Sequence, residues 1–173
     1  MALQEHQFLI KIAKEINDLA LLCGYDTVLT RTEDILLYDR NVDFKGRKKA
    51  LDLLARVNIA KKYENAIFIS IHMNAFPDSK YSGLQVYYSK NHTDSKIIAD
   101  EIQNTVRSTL QNNNNRKIKQ ADSSIFVLDN ISIPSVLVEC GFLSNEEECK
   151  LLSSEDYQKI FSLNAKKLFN IGD

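Results

Sequence analysis

The stretch Ile133–Asn145 constrains this chain more than any other part of it: Ile-Pro-Ser-Val-Leu-Val-Glu-Cys-Gly-Phe-Leu-Ser-Asn. Val136, Leu137 and Val138 form a run of branched apolar residues, the pattern of a strand buried on both faces. The run ends on a carboxylate, Glu139, and breaks at Gly141. A charge at the end of a buried strand is costly unless it is paired, coordinated or facing a cleft. A second segment repeats the design: Ala66-Ile67-Phe68-Ile69-Ser70-Ile71 runs into His72, with Asn74 just beyond. In open α/β sheets, ligands bind beyond the carboxyl ends of the strands. Two such strands would deliver an imidazole and a carboxylate to one edge.

The remaining pattern supplies the scaffold. Phe8, Leu9, Ile12, Ile16, Leu19, Ala20 and Cys23 recur at helical spacing, and Gly24 is a natural stop. Tyr25–Arg31 reads as a short strand, followed by a polar loop from Thr32 to Lys45 on the site side. Arg47–Tyr63 is predicted helical. Phe76–Gly83 reads as a loop, Leu84–Tyr88 as a strand and Ser95–Gln111 as an amphipathic helix. Ser124–Leu128 is predicted to be a strand. Ser144 or Asn145 is placed to cap a short helix opening on Glu146-Glu147-Glu148, since acidic residues suit a helix N-terminus. A last helix is expected over Glu155–Phe169. Strands alternating with helices predict one α/β domain over residues 1–173, with a mostly parallel sheet flanked by helices on both faces.

Several functions are disfavoured by simple arithmetic. A net charge of −1 gives no electrostatic reason to expect nucleic acid or an anionic membrane as partner. No apolar run approaches the ~20 residues of a spanning helix, and Met1–His6 lacks the apolar core of a signal peptide. The three cysteines, Cys23, Cys140 and Cys149, have no CxxC spacing and read as small core residues or free thiols. Cys140 adjoins Glu139, but strand neighbours point to opposite faces, so it reads as core and not as a nucleophile. A phosphate-binding glycine loop and a nucleophile elbow are both missing.

His72 alone carries little, because a histidine at a strand end is more often a satisfied structural residue. Glu139 carries more. Together they suit metal-assisted hydrolysis, in which histidine ligates zinc as neutral imidazole and a nearby glutamate moves the proton of an attacking water. His92 stands in a polar loop and His6 faces elsewhere on its helix, so neither adds to the pair.

These residues also carry a family resemblance. Ser70-Ile71-His72-Met73-Asn74-Ala75 resembles the S-x-H-x-N-A motif of the zinc-dependent N-acetylmuramoyl-L-alanine amidases of type 3. Val138–Asn145 is similar to that family's V-E-x-G-F-L-S-N motif, Leu29-Thr30-Arg31 to its T-R strand end, and Arg56 to an arginine of the helix before the zinc histidine. Lys49–Val57, Tyr81–Tyr88 and Leu151–Gln158 resemble the spore-cortex amidases in particular. The resemblance implies hydrolysis of the amide between N-acetylmuramic acid and L-alanine in peptidoglycan, with Zn2+ as cofactor and action in the cell envelope. It implies that His72 ligates zinc and that Glu139 is the catalytic carboxylate. Glu5 matches a glutamate that opens the first helix and also ligates zinc. Asn74, Arg31 and Tyr81 become candidate substrate contacts.

The resemblance also places a second zinc histidine in a G-H-G-G loop after an initial strand, and only Met1–Gln4 precede Glu5 here. The expectation is therefore a catalytic domain truncated at its N-terminus, with an oligomer as one way of compensating the strand. Two other readings stand beside the amidase: a metal-free peptidoglycan-binding or regulatory remnant, and a zinc exopeptidase on a similar scaffold.

Overall fold

The computed structural model describes residues 2–39, 41 and 45–165, with the side chains of residues 2–6, 164 and 165 outside that description. The order of elements is α1 (Ala2–Leu22), α2 (Lys48–Ala60), β1 (Phe68–Asn74), β2 (Gln85–Tyr88), α3 (Asp94–Thr109), β3 (Lys119–Gln120), α4 (Phe126–Asn130), β4 (Ser135–Phe142), α5 (Glu146–Ser153) and α6 (Glu155–Ala165). The strands form one sheet in the order β1-β4-β2-β3. β1 runs parallel to β4 and β2 parallel to β3, while β2 and β4 are antiparallel. The sheet is mixed, with its parallel pairs in the majority.

Alternation along the strands builds two cores. Ile69, Ile71 and Met73 of β1, Val86 of β2, and Val136, Val138 and Cys140 of β4 face one way, against apolar residues of α1, α3, α5 and α6. Phe68, Leu137 and Tyr87 face the other way, against Leu53, Val57 and Ala60 of α2 and Val127 and Leu128 of α4. α2 and α4 cover only the beginning of β1 and β4 on this second face. Further along, the same face carries His72, Glu139 and Gln85, in register across the three strands.

One irregularity shapes that end. His72 pairs with Glu139, but Asn74 pairs with Phe142, so β4 carries one extra residue between the two pairs. This bulge restores Phe142 to the face of Glu139, and it places both Cys140 and Gly141 towards the core.

The structure corrects two expected strands. Tyr25–Arg31 is irregular, with a bend at Thr30, and belongs to no ladder among the described residues. Its anchors are local: Tyr25 N–H donates to Ala20 O at 3.0 Å and Thr27 Oγ1 to Asn17 Oδ1 at 2.7 Å. β-branched residues make a strand only where a neighbour supplies the ladder. Ser124–Leu128 leads instead into α4. The Asp122 carboxylate accepts from both Ser124 N–H and Ser124 Oγ, and this Asx turn starts a helix that buries Val127 and Leu128. β3 escaped sequence reading because it is two polar residues long.

Candidate active site at the strand ends

His72 and Glu139 are direct neighbours on adjacent parallel strands and share the uncovered face. Strands lie about 4.8 Å apart, so imidazole and carboxylate can address one small group together. The His72 Nε2 is 3.0 Å from Ser70 Oγ, two residues back on the same face, and this contact fixes the ring's direction. His72 is exposed to solvent, yet the protein crowded around its ring is the chief cause that lowers its pKa from 6.5 to about 4, with the positive charges of Arg56, Arg31 and Lys49 acting in the same sense. His72 is therefore a neutral imidazole near pH 7, the form that ligates metals.

The cations come from α2 and the loop that precedes it. Lys49, Asp52 and Arg56 lie along one side of α2, while Leu53, Val57 and Ala60 bury the adjacent stripe. Asp52 is 5% exposed, and its carboxylate is satisfied twice: Arg56 Nε donates at 2.9 Å and Leu37 N–H at 2.7 Å. Arg56 also reaches Thr30 Oγ1 at 3.4 Å. Loop residues 30–37 are thus clasped to α2. Within them Arg31 contacts Asp34 at 3.4 Å and Ile35 O at 3.3 Å, close enough to His72 for its charge to be felt there.

On the opposite side of Glu139 lies a residue that sequence reasoning missed. Gln85 is 9% exposed; it donates to Lys117 O at 2.8 Å and accepts from Arg116 Nη2 at 2.5 Å. The Arg116 guanidinium in turn lies over Phe142, 4.9 Å from its ring centre. A buried glutamine beside a candidate carboxylate was the available signal, but only pairing of β2 with β4 reveals it.

The run after Glu139 has a structural explanation in this chain alone. Glu148, 7% exposed, accepts from Gly83 N–H and from Phe142 N–H, each at 2.8 Å. Burial raises its pKa, and those two hydrogen bonds oppose the shift. Asn145 caps α5 by accepting from Glu148 N–H at 3.0 Å; it also donates to Ser79 O at 2.9 Å. Ser144 Oγ accepts from Phe76 N–H at 3.1 Å. The loop after β1 is thereby held to the loop after β4.

Of the other candidates, Asn74 ends β1 in register with Phe142, and its carbonyl accepts from Leu143 N–H at 2.8 Å. Tyr81 lies in the loop beyond, against Phe142 and Phe76. Glu5 belongs to α1, but its side chain lies outside the described residues, as do residues 40 and 42–44 of the polar loop. Cys140 is fully buried; burial, with the Glu139 charge next in importance, pushes its thiol pKa upward. It is an inert core residue, as its strand parity predicts.

The structure thus brings an imidazole and a carboxylate, His72 and Glu139, side by side on the open face of a parallel strand pair. The family model for N-acetylmuramoyl-L-alanine amidase (Amidase_3) matches residues 1–167. The chain belongs to this family. It is 34% identical over 156 residues to the germination-specific N-acetylmuramoyl-L-alanine amidase of Bacillus subtilis, a match that covers 90% of this chain and 65% of that protein. The chain thus spans just under two thirds of that relative's length. The CwlD amidase of Clostridioides difficile, solved in complex with the GerS lipoprotein, superposes with a TM-score of 0.89 at 36% identity, covering 98% of this chain and 87% of that one. The catalytic domain of the amidase CwlV from Bacillus (Paenibacillus) polymyxa gives 0.75 at 25% identity, covering 96% of this chain and 84% of that one.

The donor chemistry at His72 fits the zinc that the family implies: the ring is neutral, oriented and reachable from solvent. Among the described residues no group of three His, Cys, Asp or Glu gathers within reach of one metal ion. No helix among them is long and apolar enough to cross a membrane.

Proposed function

We propose that this chain hydrolyses the amide between N-acetylmuramic acid and L-alanine in peptidoglycan, with zinc as cofactor, in remodelling of the cell wall or spore cortex. The observation that carries this reading is the register pair His72–Glu139 on the uncovered face, inside the two segments that resemble the family's motifs, in a chain whose residues 1–167 the family model matches.

His72 and Glu5 would hold the metal. Zinc, when bound, supplies Lewis acidity to the scissile carbonyl and to the attacking water. His72 binds as neutral imidazole, its ring directed by Ser70. Glu139 accepts the proton of the attacking water and returns it to the departing L-alanine nitrogen. The run Val136–Val138, buried on both sides, holds that carboxylate in one direction. Arg31 and Asn74 are assigned contacts with the substrate at the rim. The substrate places the reaction in the cell envelope.

The test uses the full chain supplied with zinc and purified muropeptides, reading release of stem peptide and bound zinc in parallel. Glu139→Gln should keep zinc and lose about 10²–10⁴-fold in turnover, the usual worth of general acid–base help. His72→Ala should lose zinc and turnover together. Undiminished cleavage by Glu139→Gln sinks the mechanism. Release of free amino acids, with the muramoyl amide intact, would favour an exopeptidase.

A further inference from the structure

Beyond the strand ends stands a set of aromatic rings that the hydrolytic chemistry does not use. Phe142 is buried, but Phe76 is 51% and Tyr81 38% exposed. Phe76 and Tyr81 meet edge to face, with ring centres 4.9 Å apart and an interplanar angle of 83°. Tyr81 stacks at 6.2 Å on Phe142, and the Arg116 guanidinium also lies over the Phe142 ring. Lys80 reaches over the Tyr81 ring at 5.4 Å. Single exposed aromatics need no explanation; this group differs in being continuous and held. Its loop is tied at Phe76 to Ser144, at Ser79 to Asn145 and at Gly83 to Glu148.

We propose that Phe76 and Tyr81 form the sugar-binding subsite of this protein, on which an N-acetylated pyranose of the glycan strand lies. The inference rests on the amidase reading for the identity of the glycan, and on the geometry for the place. Pyranose rings present a face of polarised C–H groups, which complements the electron-rich face of an aromatic ring. Lys80, ion-paired with Asp78 at 2.7 Å, and Arg116, which donates to Gln85, stand at either end of the aromatic group.

Position supports the same assignment. Phe142 stands in register with Asn74, two residues past His72 on β1, so the platform begins roughly 7 Å past the reacting groups at ~3.3 Å per residue. In the substrate only a lactyl ether separates the sugar ring from the scissile amide. A sugar bound here would leave that amide over His72 and Glu139. The stem peptide, which carries carboxylates, would then extend towards Arg31 and Lys49, whose charges reach the His72 side of the site.

The experiment measures binding and does not depend on turnover. The full chain is titrated with a peptide-free glycan tetrasaccharide of alternating N-acetylglucosamine and N-acetylmuramic acid, and separately with free stem tripeptide, by calorimetry. Phe76→Ala and Tyr81→Ala should each weaken glycan binding about five- to tenfold and leave tripeptide binding unchanged. Tyr81→Phe, which keeps the ring, should retain glycan binding within about twofold. Phe76→Leu keeps apolar bulk without a π face and should behave as Phe76→Ala, which separates stacking from folding. Equal glycan binding by both alanine variants, or weakened tripeptide binding instead, overturns the subsite. Glycan binding with this mutational pattern but no amide cleavage by the wild-type protein would remove the amidase reading and leave the subsite standing.

Discussion

The bulge at Gly141 makes a quantitative prediction about how the end of β4 is held. A methyl group added at Gly141 would come within 2.7 Å of Glu148 Cδ, 2.8 Å of Glu148 Oε1 and 3.0 Å of Leu152 Cδ1. The leucine methyl can rotate away. The carboxylate cannot, because its two oxygens accept from Gly83 N–H and Phe142 N–H. Gly141→Ala should therefore cost about 1–3 kcal/mol, as overpacking of a filled core does. Glu148→Ala strands two buried N–H groups at about 1–3 kcal/mol each, so about 2–6 kcal/mol in all, reduced by relief from burying a carboxylate. In the double variant the new methyl enters the space that the carboxylate leaves, so the combined loss should stay close to that of Glu148→Ala alone. The coupling should then be about 1–3 kcal/mol, read from urea unfolding followed by far-ultraviolet circular dichroism. At a slope of about 1–3 kcal/mol per molar urea, each such step moves the midpoint by about 1 M. Losses that add within about 0.5 kcal/mol would refute the reasoning.

Three further outcomes follow from individual contacts. In zinc-free protein His72 has a folded pKa of about 4 against a usual 6.5, so the unfolded chain binds more protons between these values. Its contribution to stability is complete above pH 6.5 and is lost as pH falls towards 4; His72→Asn should flatten that part of the stability profile, and an unchanged profile refutes it. Asp52→Asn removes one of the two acceptors that serve Leu37 N–H and Arg56, at about 1–3 kcal/mol; hydrogen exchange at the Leu37 amide should accelerate, and unchanged protection would sink the clasp. Asn145→Ala should cost about 1 kcal/mol through loss of the α5 cap, whereas Asn145→Asp keeps the capping oxygen and should lose less; equal losses by calorimetric melting would argue against capping.

What the sequence disclosed, and what it withheld, follows from how local each signal is. The strands that carry His72 and Glu139 were legible because an apolar run broken by a charged or ionisable residue is a one-dimensional pattern, but their ends were not: β1 continues to Asn74 and β4 through Gly141 to Phe142. The helix over Glu146–Ser153 was legible for the same reason, with Asn145 and three glutamates marking its start. Tyr25–Arg31 misled because its residue types suit a strand, and strand formation depends on a neighbour that the segment does not have among the described residues. Ser124–Leu128 misled because the Asp122 turn outweighs the β-propensity of Ile125, Phe126 and Val127. Gln85 and Arg116 were invisible for a third reason: their relation to Glu139 exists only through the antiparallel pairing of β2 with β4. The S-x-H-x-N-A and V-E-x-G-F-L-S-N resemblances reached the family without any of this geometry.

The bulge also explains why the chemistry and the aromatic group can share one short segment. In a regular strand, residues three apart point to opposite faces, so Glu139 on the open face would send Phe142 into the core. The extra residue resets that parity and brings Phe142 beside Asn74 on the open face. The reset has a steric consequence, since Cys140 and Gly141 must now both fit on the core side. Cys140 is already fully enclosed there, and the space beside it holds the Glu148 carboxylate and Leu152. Only a residue without a side chain fits the second position. Glu148, by accepting from Phe142 N–H, fixes the bulged strand where its regular ladder ends; by accepting from Gly83 N–H, it ties the Tyr81 loop to the same point. The rigidity of the aromatic group is therefore set from the core side of the sheet, by a carboxylate that faces away from the substrate.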